Sequence, residues 1–164
     1  MATHAAQAAT SSTAEPCVIV IFGASGDLTH RKLIPSLYDL ERQGVLPRGT
    51  VVLGVSRTPL TDDQFREKLA PSVEKFSVNY ETGRWRQFAQ RVRYHPGDAA
   101  EQESYPALMK RINDLAQGAG IQKPCGTPNI LFYLSVSPDL YEPIVEAIGG
   151  AGMVTEGKRW CSLN

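Results

Sequence analysis

The sequence predicts an α/β fold, in which a doubly wound parallel sheet has helices on both faces. Short apolar runs alternate with stretches of helical periodicity from residue 18 to residue 148, and this alternation is typical of parallel strands joined by helices. The first run, residues 18–22, is apolar throughout, as expected of a strand covered on both faces. It ends at a glycine turn that leads directly into a helical stretch.

The composition limits the classes of partner. With 164 residues the chain suits one domain that can bury a core. Its 17 basic residues balance 17 acidic residues, so there is no electrostatic reason to expect nucleic acid or an anionic membrane. A basic stretch, residues 84–93, contains Trp85 and Phe88, and we interpret it as a solvated helix face whose aromatic rings face the core. No apolar run approaches the roughly 20 residues of a membrane span.

The cysteines and the N-terminus indicate a cytoplasmic protein. Cys17, Cys125 and Cys161 are far apart and form no CxxC or Cys/His cluster, so no disulfide framework and no metal site are predicted. Reduced thiols are typical of cytoplasmic proteins. Residues 1–15 lack the features of a signal or transit peptide, and their small residues predict a disordered tail. The predicted domain is therefore residues 16–164.

The first half of that domain is expected to contain three strands, residues 18–22, 50–55 and 91–95. The helix after the glycine turn should bury one side and stop at Gly44, with a kink or step at Pro35. The leucines on that side are Leu28, Leu33, Leu37 and Leu40. Residues 61–64 predict a capping box, which opens a helix with Phe65, Leu69 and Val73 facing the core. A short helix is expected over residues 80–90.

The second half is expected to contain two helices and one further strand. Residues 101–117 predict an amphipathic helix, with its apolar face formed by Tyr105, Leu108, Ile112 and Leu115. Residues 129–136 predict a buried strand. A last helix should run over residues 140–148, where the glycines of residues 149–152 break it.

The glycine turn is the first candidate binding site. Bare backbone at the turn, together with the positive end of the following helix, suits a dinucleotide pyrophosphate. The turn has the form GxxG, not the complete GxGxxG, and a tight turn without a ligand is the alternative. The Thr29 hydroxyl can donate to phosphate, whereas His30 either adds positive charge or faces water. The residues expected to surround the pyrophosphate are Gly23, Ala24, Ser25, Gly26, Asp27, Leu28, Thr29 and His30.

The end of the second strand predicts the identity of the coenzyme. An acidic residue at this point suits the free ribose hydroxyl of NAD, whereas an arginine suits the 2′-phosphate of NADP. Here Ser56 and Arg57 follow the strand, and no acidic residue occurs before Asp62. We therefore predict NADP as the cofactor, with Ser56 and Arg57 on its 2′-phosphate. The alternative is a surface arginine at the end of a strand.

The fourth strand's exit, residues 135–139, lies where the nicotinamide half should pass, and Tyr141 is a candidate contact there. A helix start capped by Ser137 or Asp139 explains the same residues equally well. No catalytic residue is predicted, because none of the histidines His4, His30 and His95 has an evident carboxylate partner. The absence of Tyr-x-x-x-Lys argues against a short-chain dehydrogenase.

Residues 21–38, IFGASGDLTHRKLIPSLY, resemble the N-terminal signature of glucose-6-phosphate dehydrogenase, including its proline. The resemblance continues through GVSR at residues 54–57, through Tyr94-x-x-Gly97-Asp98, and through FYLSVSP at residues 132–138. It implies a Rossmann-like domain in an enzyme of the oxidative pentose phosphate pathway, which oxidises glucose 6-phosphate to 6-phosphogluconolactone with NADP. It also implies that the complete protein is a homo-oligomer.

Two family segments are absent from residues 1–164: E-K-P-F-G and R-I-D-H-Y-L-G-K, the second of which carries the family's catalytic histidine. We therefore expect an N-terminal fragment with a partial NADP-binding domain. It would lack the catalytic α+β domain, be incomplete at its C-terminal end and expose a sheet edge there. The alternatives are a stand-alone NADP-binding or sensor module without catalysis, and another NADP-dependent reductase that shares the fold.

Overall fold

The computed structural model describes residues 14–121 and 128–153. Four parallel strands form one sheet in the order β3-β2-β1-β4. Because the chain passes from β1 to β2 and β3 on one side and then returns to place β4 on the other, the strand order reverses between β1 and β4. The strands are β1 (Val18–Phe22), β2 (Val51–Ser56), β3 (Val92–Pro96) and β4 (Ile130–Leu134).

Helices join the strands and cover both faces of the sheet, which confirms the predicted fold class. A π-helical turn, Thr29–Leu33, precedes the first α-helix, and short 3-10 turns precede the last two. The α-helices are α1 (Ile34–Arg42), α2 (Asp62–Phe76), α3 (Thr82–Ala89), α4 (Tyr105–Gly118) and α5 (Tyr141–Gly150).

Alternate strand residues enter two separate cores. One face of the sheet, including Val20, Phe22 and Leu53, packs against α4 and α5. The opposite face, including Ile21 and Val52, packs against α1, α2 and α3. The predicted core residues of α2 are all buried, namely Phe65, Leu69 and Val73. Burial of both faces explains why the central strands are almost continuously apolar.

The helix after the glycine turn buries a different side from the one predicted. Leu28 and Leu40 are exposed, whereas Thr29, Ile34 and Tyr38 are fully buried. The amide of Ile34 donates to the carbonyl of Thr29, five residues back, so the π-helical turn inserts one extra residue. That residue rotates the buried face by about 100° relative to a continuous α-helix. The predicted step is confirmed, with Pro35 in the first turn of α1.

Two of the predicted helix ends are confirmed. Gly44 ends the first helical segment with φ +73°, a conformation that glycine adopts without strain. Thr61 and Gln64 form the predicted capping box at the start of α2: the Thr61 hydroxyl accepts from the Gln64 amide at 3.2 Å, and the Gln64 side chain accepts from the Thr61 amide at 2.9 Å.

Only part of the basic stretch forms the predicted helix face, because α3 ends at Ala89 and the stretch continues into β3. Trp85 and Phe88 of α3 are buried in the second core, while Arg91 pairs with Glu41 and Arg93 pairs with Asp62. Arg91 and Arg93 therefore form ion pairs within the domain.

The fourth strand is not buried as predicted. Leu131 and Tyr133 are 52% and 41% exposed, because they lie on the α1 side of the sheet, where no described helix covers β4. The glycines also break the last helix later than predicted, since α5 continues through Gly150 and the chain turns at Gly152 with φ +69°. Residues 1–13 of the predicted tail, Cys125 and Cys161 lie outside the described residues. Within the described part of the chain, no helix has both the length and the apolar character to span a membrane.

Candidate dinucleotide-binding site

A cavity of 440 Å³ lies at the carboxyl-terminal edge of the sheet. In an open parallel sheet, ligands bind at this edge, where the strand order reverses. The exits of all four strands contribute to the lining, so the cavity occupies the position expected for a nucleotide. Its walls come from the glycine turn, residues 55–58, residues 97–100 and residues 135–137, with Leu140 at one end.

Gly23 allows the exits of β1 and β4 to meet. Its φ is +81°, in the left-handed region that favours glycine. A methyl group at this position would overlap the carbonyl oxygen of Ser135. The bare backbone of Gly23 therefore lets the two strand exits close together at the point where the strand order reverses.

Hydrogen bonds leave part of the turn free for an anion. The amides of Gly23 and Ala24 donate to the carbonyl of Val55 at 3.0 and 3.1 Å, and the amide of Gly26 donates to Gly23 at 2.9 Å. Within the described chain, the amides of Ser25, Asp27 and Leu28 donate to no backbone carbonyl. Unpaired amides at the start of a helix suit an anion such as a pyrophosphate.

Arg57 is the available cation at the cavity. It is exposed, lines the cavity, and makes no hydrogen bond or ion pair to any residue that the structure describes. The next acidic residue, Asp62, is already used. It pairs with Arg111 at 2.9 Å and accepts a hydrogen bond from the amide of Tyr94 at 2.7 Å. Asp62 is therefore not available to hold a ribose hydroxyl.

A loop that the sequence analysis did not predict as part of the site also lines the cavity. Residues 97–100 follow β3 and form the wall beside Arg57, and they include Asp98 and Ala99. The loop is held from behind by Tyr105, whose hydroxyl donates to the Ala99 carbonyl at 2.7 Å. The sequence contains one signal for this loop: the predicted third strand ends at Pro96 and Gly97. The carboxyl end of every parallel strand lies on the ligand-binding edge of the sheet.

Five of the predicted site residues line this cavity: Gly23, Ser25, Gly26, Ser56 and Arg57. The others lie around it. Ala24 is buried. The buried hydroxyl of Thr29 donates to the Gly23 carbonyl at 3.2 Å, so Thr29 braces the turn and its hydroxyl hydrogen is not free for phosphate. Direct cofactor contacts by the outlying residues stay predictions.

The remaining predicted residues do not line this cavity. Asp27 is exposed and pairs with Arg31 at 3.3 Å. Leu28 is exposed on the helix start, and Tyr141 is exposed one residue beyond the cavity wall at Leu140. Partial burial, with Lys68 nearby, lowers the pKa of His30 from its ordinary value of 6.5, against an opposing effect of Asp27. His30 is therefore mostly neutral at pH 7 and adds little positive charge.

A second cavity of 560 Å³ lies on the other side of the glycine turn, against the C-terminal half of α2. It is larger, but it touches only one of the four strand exits. Its cations are already engaged, because Arg31 pairs with Asp27 and both Arg31 and Lys75 lie over the ring of Phe76. The 440 Å³ cavity, where the strand exits meet, is therefore the better candidate for a nucleotide site. Among the described residues, no cluster of metal-ligating side chains occurs.

The fold and the site define a dinucleotide-binding domain of the Rossmann type. Comparison with known proteins gives the same class. Residues 20–163 match the family model described as glucose-6-phosphate dehydrogenase, NAD binding domain. The chain therefore belongs to the glucose-6-phosphate dehydrogenase family, and the matched part is its NAD(P)-binding domain.

Similar proteins carry the same family name. The chain is 40% identical over 150 residues to glucose-6-phosphate 1-dehydrogenase of Aggregatibacter actinomycetemcomitans, covering 92% of this chain and 29% of that protein. It is 39% identical over 132 residues to the enzyme of Chlamydia muridarum, covering 79% of this chain and 25% of that protein. The chain thus spans less than a third of the length of these relatives.

Solved structures agree with this assignment. A glucose-6-phosphate dehydrogenase in complex with its substrate glucose-6-phosphate superposes with a TM-score of 0.75 and 32% sequence identity, covering 87% of this chain and 28% of that one. The enzyme of Mycobacterium avium superposes with a TM-score of 0.71 and 26% identity, covering 85% of this chain and 28% of that one.

Proposed function

We propose that this chain binds NADP in preference to NAD, as the coenzyme-binding part of an enzyme that oxidises glucose 6-phosphate to 6-phosphogluconolactone. The observation that carries the preference is the unpaired guanidinium of Arg57 at the cavity, at the exit of β2, where the next carboxylate, Asp62, is already paired. The neighbouring carboxylate of Asp98 accepts a hydrogen bond from the amide of Ala100 at 2.9 Å. An arginine recognises phosphate with several donors in a fixed geometry. When bound, the coenzyme would accept the hydride of the substrate.

Different residues of the cavity suit different parts of the coenzyme. The glycine turn, with the free amides of Ser25 and Asp27, suits the pyrophosphate. Arg57 suits the 2′-phosphate. The exit of β4 at Ser135 suits the nicotinamide half. In the sheet, β4 and β2 lie on opposite sides of β1, so Ser135 and Arg57 lie on opposite sides of the glycine turn.

Binding without turnover is the function that we propose for residues 1–164 alone. Within the described residues, neither His30 nor His95 hydrogen-bonds a carboxylate, so neither has the partner that orients a general base. Glucose 6-phosphate is proposed as the substrate of the longer enzyme, and the homo-oligomer expected of that enzyme stays a prediction.

Calorimetric titration of this chain with NADP and NAD tests the proposal. We expect NADP to bind at least about 10-fold more tightly, because a hydrogen bond to a charged group contributes about 1.5–3 kcal/mol. Addition of glucose 6-phosphate and NADP should yield no NADPH. Equal affinities would contradict the preference, and NADPH formation would contradict binding without turnover.

A further inference from the structure

The phenol of Tyr94 lies beneath the loop that carries Arg57. The ring is buried, with 3% of the residue exposed, and it packs against Phe65 at a centroid distance of 4.8 Å. Phe65 has room there because Gly54 has no side chain, and a methyl group on Gly54 would lie 2.8 Å from the Phe65 ring. Tyr94 is paired across the sheet with Gly54. The position of the Tyr94 ring is therefore set by packing within the second core.

The hydroxyl of Tyr94 holds both residues that flank Arg57. It lies 2.6 Å from the carbonyl oxygen of Thr58 and 2.7 Å from the hydroxyl oxygen of Ser56. A phenol has one hydrogen, and the carbonyl oxygens of Thr58 and Ser56 lie 2.6 and 3.1 Å from it and can only accept, so Tyr94 donates to the nearer one, that of Thr58. Ser56 must then donate to Tyr94. Burial raises the pKa of Tyr94 above its ordinary value, although the Ser56 hydrogen bond opposes this shift, so the phenol keeps its hydrogen at neutral pH.

This arrangement changes the role of Ser56. Its hydroxyl lines the cavity, but its only hydrogen is used on Tyr94. A fully ionised phosphate accepts hydrogen bonds and donates none, so Ser56 is poorly suited to bind the 2′-phosphate directly. Arg57 is left as the charged donor at this strand exit, and its backbone is fixed on both sides by one buried hydroxyl.

We propose that Tyr94 is the positioning residue for coenzyme selectivity, acting through Ser56 and Thr58 to present Arg57 to the 2′-phosphate. The inference rests on the proposed preference for NADP. It assigns the selectivity to a residue that does not line the cavity.

The test is Tyr94→Phe, which removes only the hydroxyl. We expect NADP affinity to fall by about 3- to 10-fold, the value of one hydrogen bond, with NAD affinity unchanged. The matched control is Tyr38→Phe, since Tyr38 is fully buried and its hydroxyl accepts from the Glu81 amide at 2.9 Å, between α1 and α3. This control should leave the ratio of the two affinities unchanged. An equal loss for both coenzymes in Tyr94→Phe, or no loss, would overturn the proposal.

A double-mutant cycle with Ser56→Ala separates positioning from direct contact. If Ser56 acts through Tyr94, then Ser56→Ala should have no further effect on NADP affinity in the Tyr94→Phe background. Additive losses would show that Ser56 contacts the phosphate itself and would overturn the assignment. Should Tyr94→Phe fail to fold, Ser56→Ala alone must still lower the NADP-to-NAD affinity ratio, and an unchanged ratio would overturn it. A wild-type chain without NADP preference would instead refute the proposed function.

Discussion

Arg57→Glu is expected to weaken NADP binding on the order of 100-fold while leaving NAD binding unchanged or tighter. The variant removes charge-assisted hydrogen bonds, each about 1.5–3 kcal/mol, and places a carboxylate where the 2′-phosphate would lie. The same carboxylate suits the free ribose hydroxyl of NAD. Titration of the variant with both coenzymes measures the change.

The matched control for charge reversal is Arg86→Glu. Arg86 is exposed on α3 and does not line the coenzyme cavity, so NADP affinity should stay within about 2-fold of the wild type at moderate ionic strength. If Arg57→Glu retains the NADP affinity of the wild type, then Arg57 does not contact the 2′-phosphate.

Gly23→Ala is expected to lower the free energy of unfolding by about 2–5 kcal/mol and to remove coenzyme binding. A non-glycine residue in the left-handed region costs about 1–2 kcal/mol, and overpacking costs about 1–3 kcal/mol more. Both apply here, because φ is +81° and a methyl group would overlap the Ser135 carbonyl. Chemical denaturation monitored by circular dichroism measures the loss of stability.

Gly83→Ala is the control for this substitution. Gly83 lies in α3, and a methyl group there meets nothing within 4 Å. Alanine at this position should raise the free energy of unfolding by about 0.5–1 kcal/mol. A Gly23→Ala variant as stable as the wild type would mean that the exits of β1 and β4 do not meet as described.

The alternation of strands and helices could be predicted because the buried strands are short and apolar and the segments between them have helical periodicity, with a capping box at the start of α2. Phe65, Leu69 and Val73 lie on one side of a regular α-helix, so their four-residue spacing predicted the buried face correctly. The same reasoning failed before α1, where Leu28 and Leu40 are exposed. A π-helical turn changes the periodicity by one residue, and no residue pattern in the chain indicated it.

Burial of β4 could not be predicted, because an edge strand and a central strand have the same apolar composition here. Whether Leu131 and Tyr133 are covered depends on which element packs on the α1 side of the sheet, and a strand's own residues do not contain that information.

Parts of the candidate site were predictable where the local geometry or charge requires one type of residue. Gly23 needs a positive φ, and Arg57 follows a strand end that has no carboxylate. The contribution of residues 97–100 and the hydrogen bonds of Tyr94 were not predicted, because they depend on the lateral order of the strands. That order places the exit of β3 beside Arg57.

The central claim is that NADP binds at the carboxyl edge of the sheet, between the glycine turn and Arg57. The most direct measurement is an NMR titration of the isotope-labelled chain with NADP, followed through its backbone amides. We predict the largest shifts at Arg57, residues 97–100 and Ser135, which line only this cavity, with Ser25 and Gly26, which line both cavities, also affected. Shifts concentrated at Ser72, Lys75 and Phe76, around the second cavity, would contradict the account.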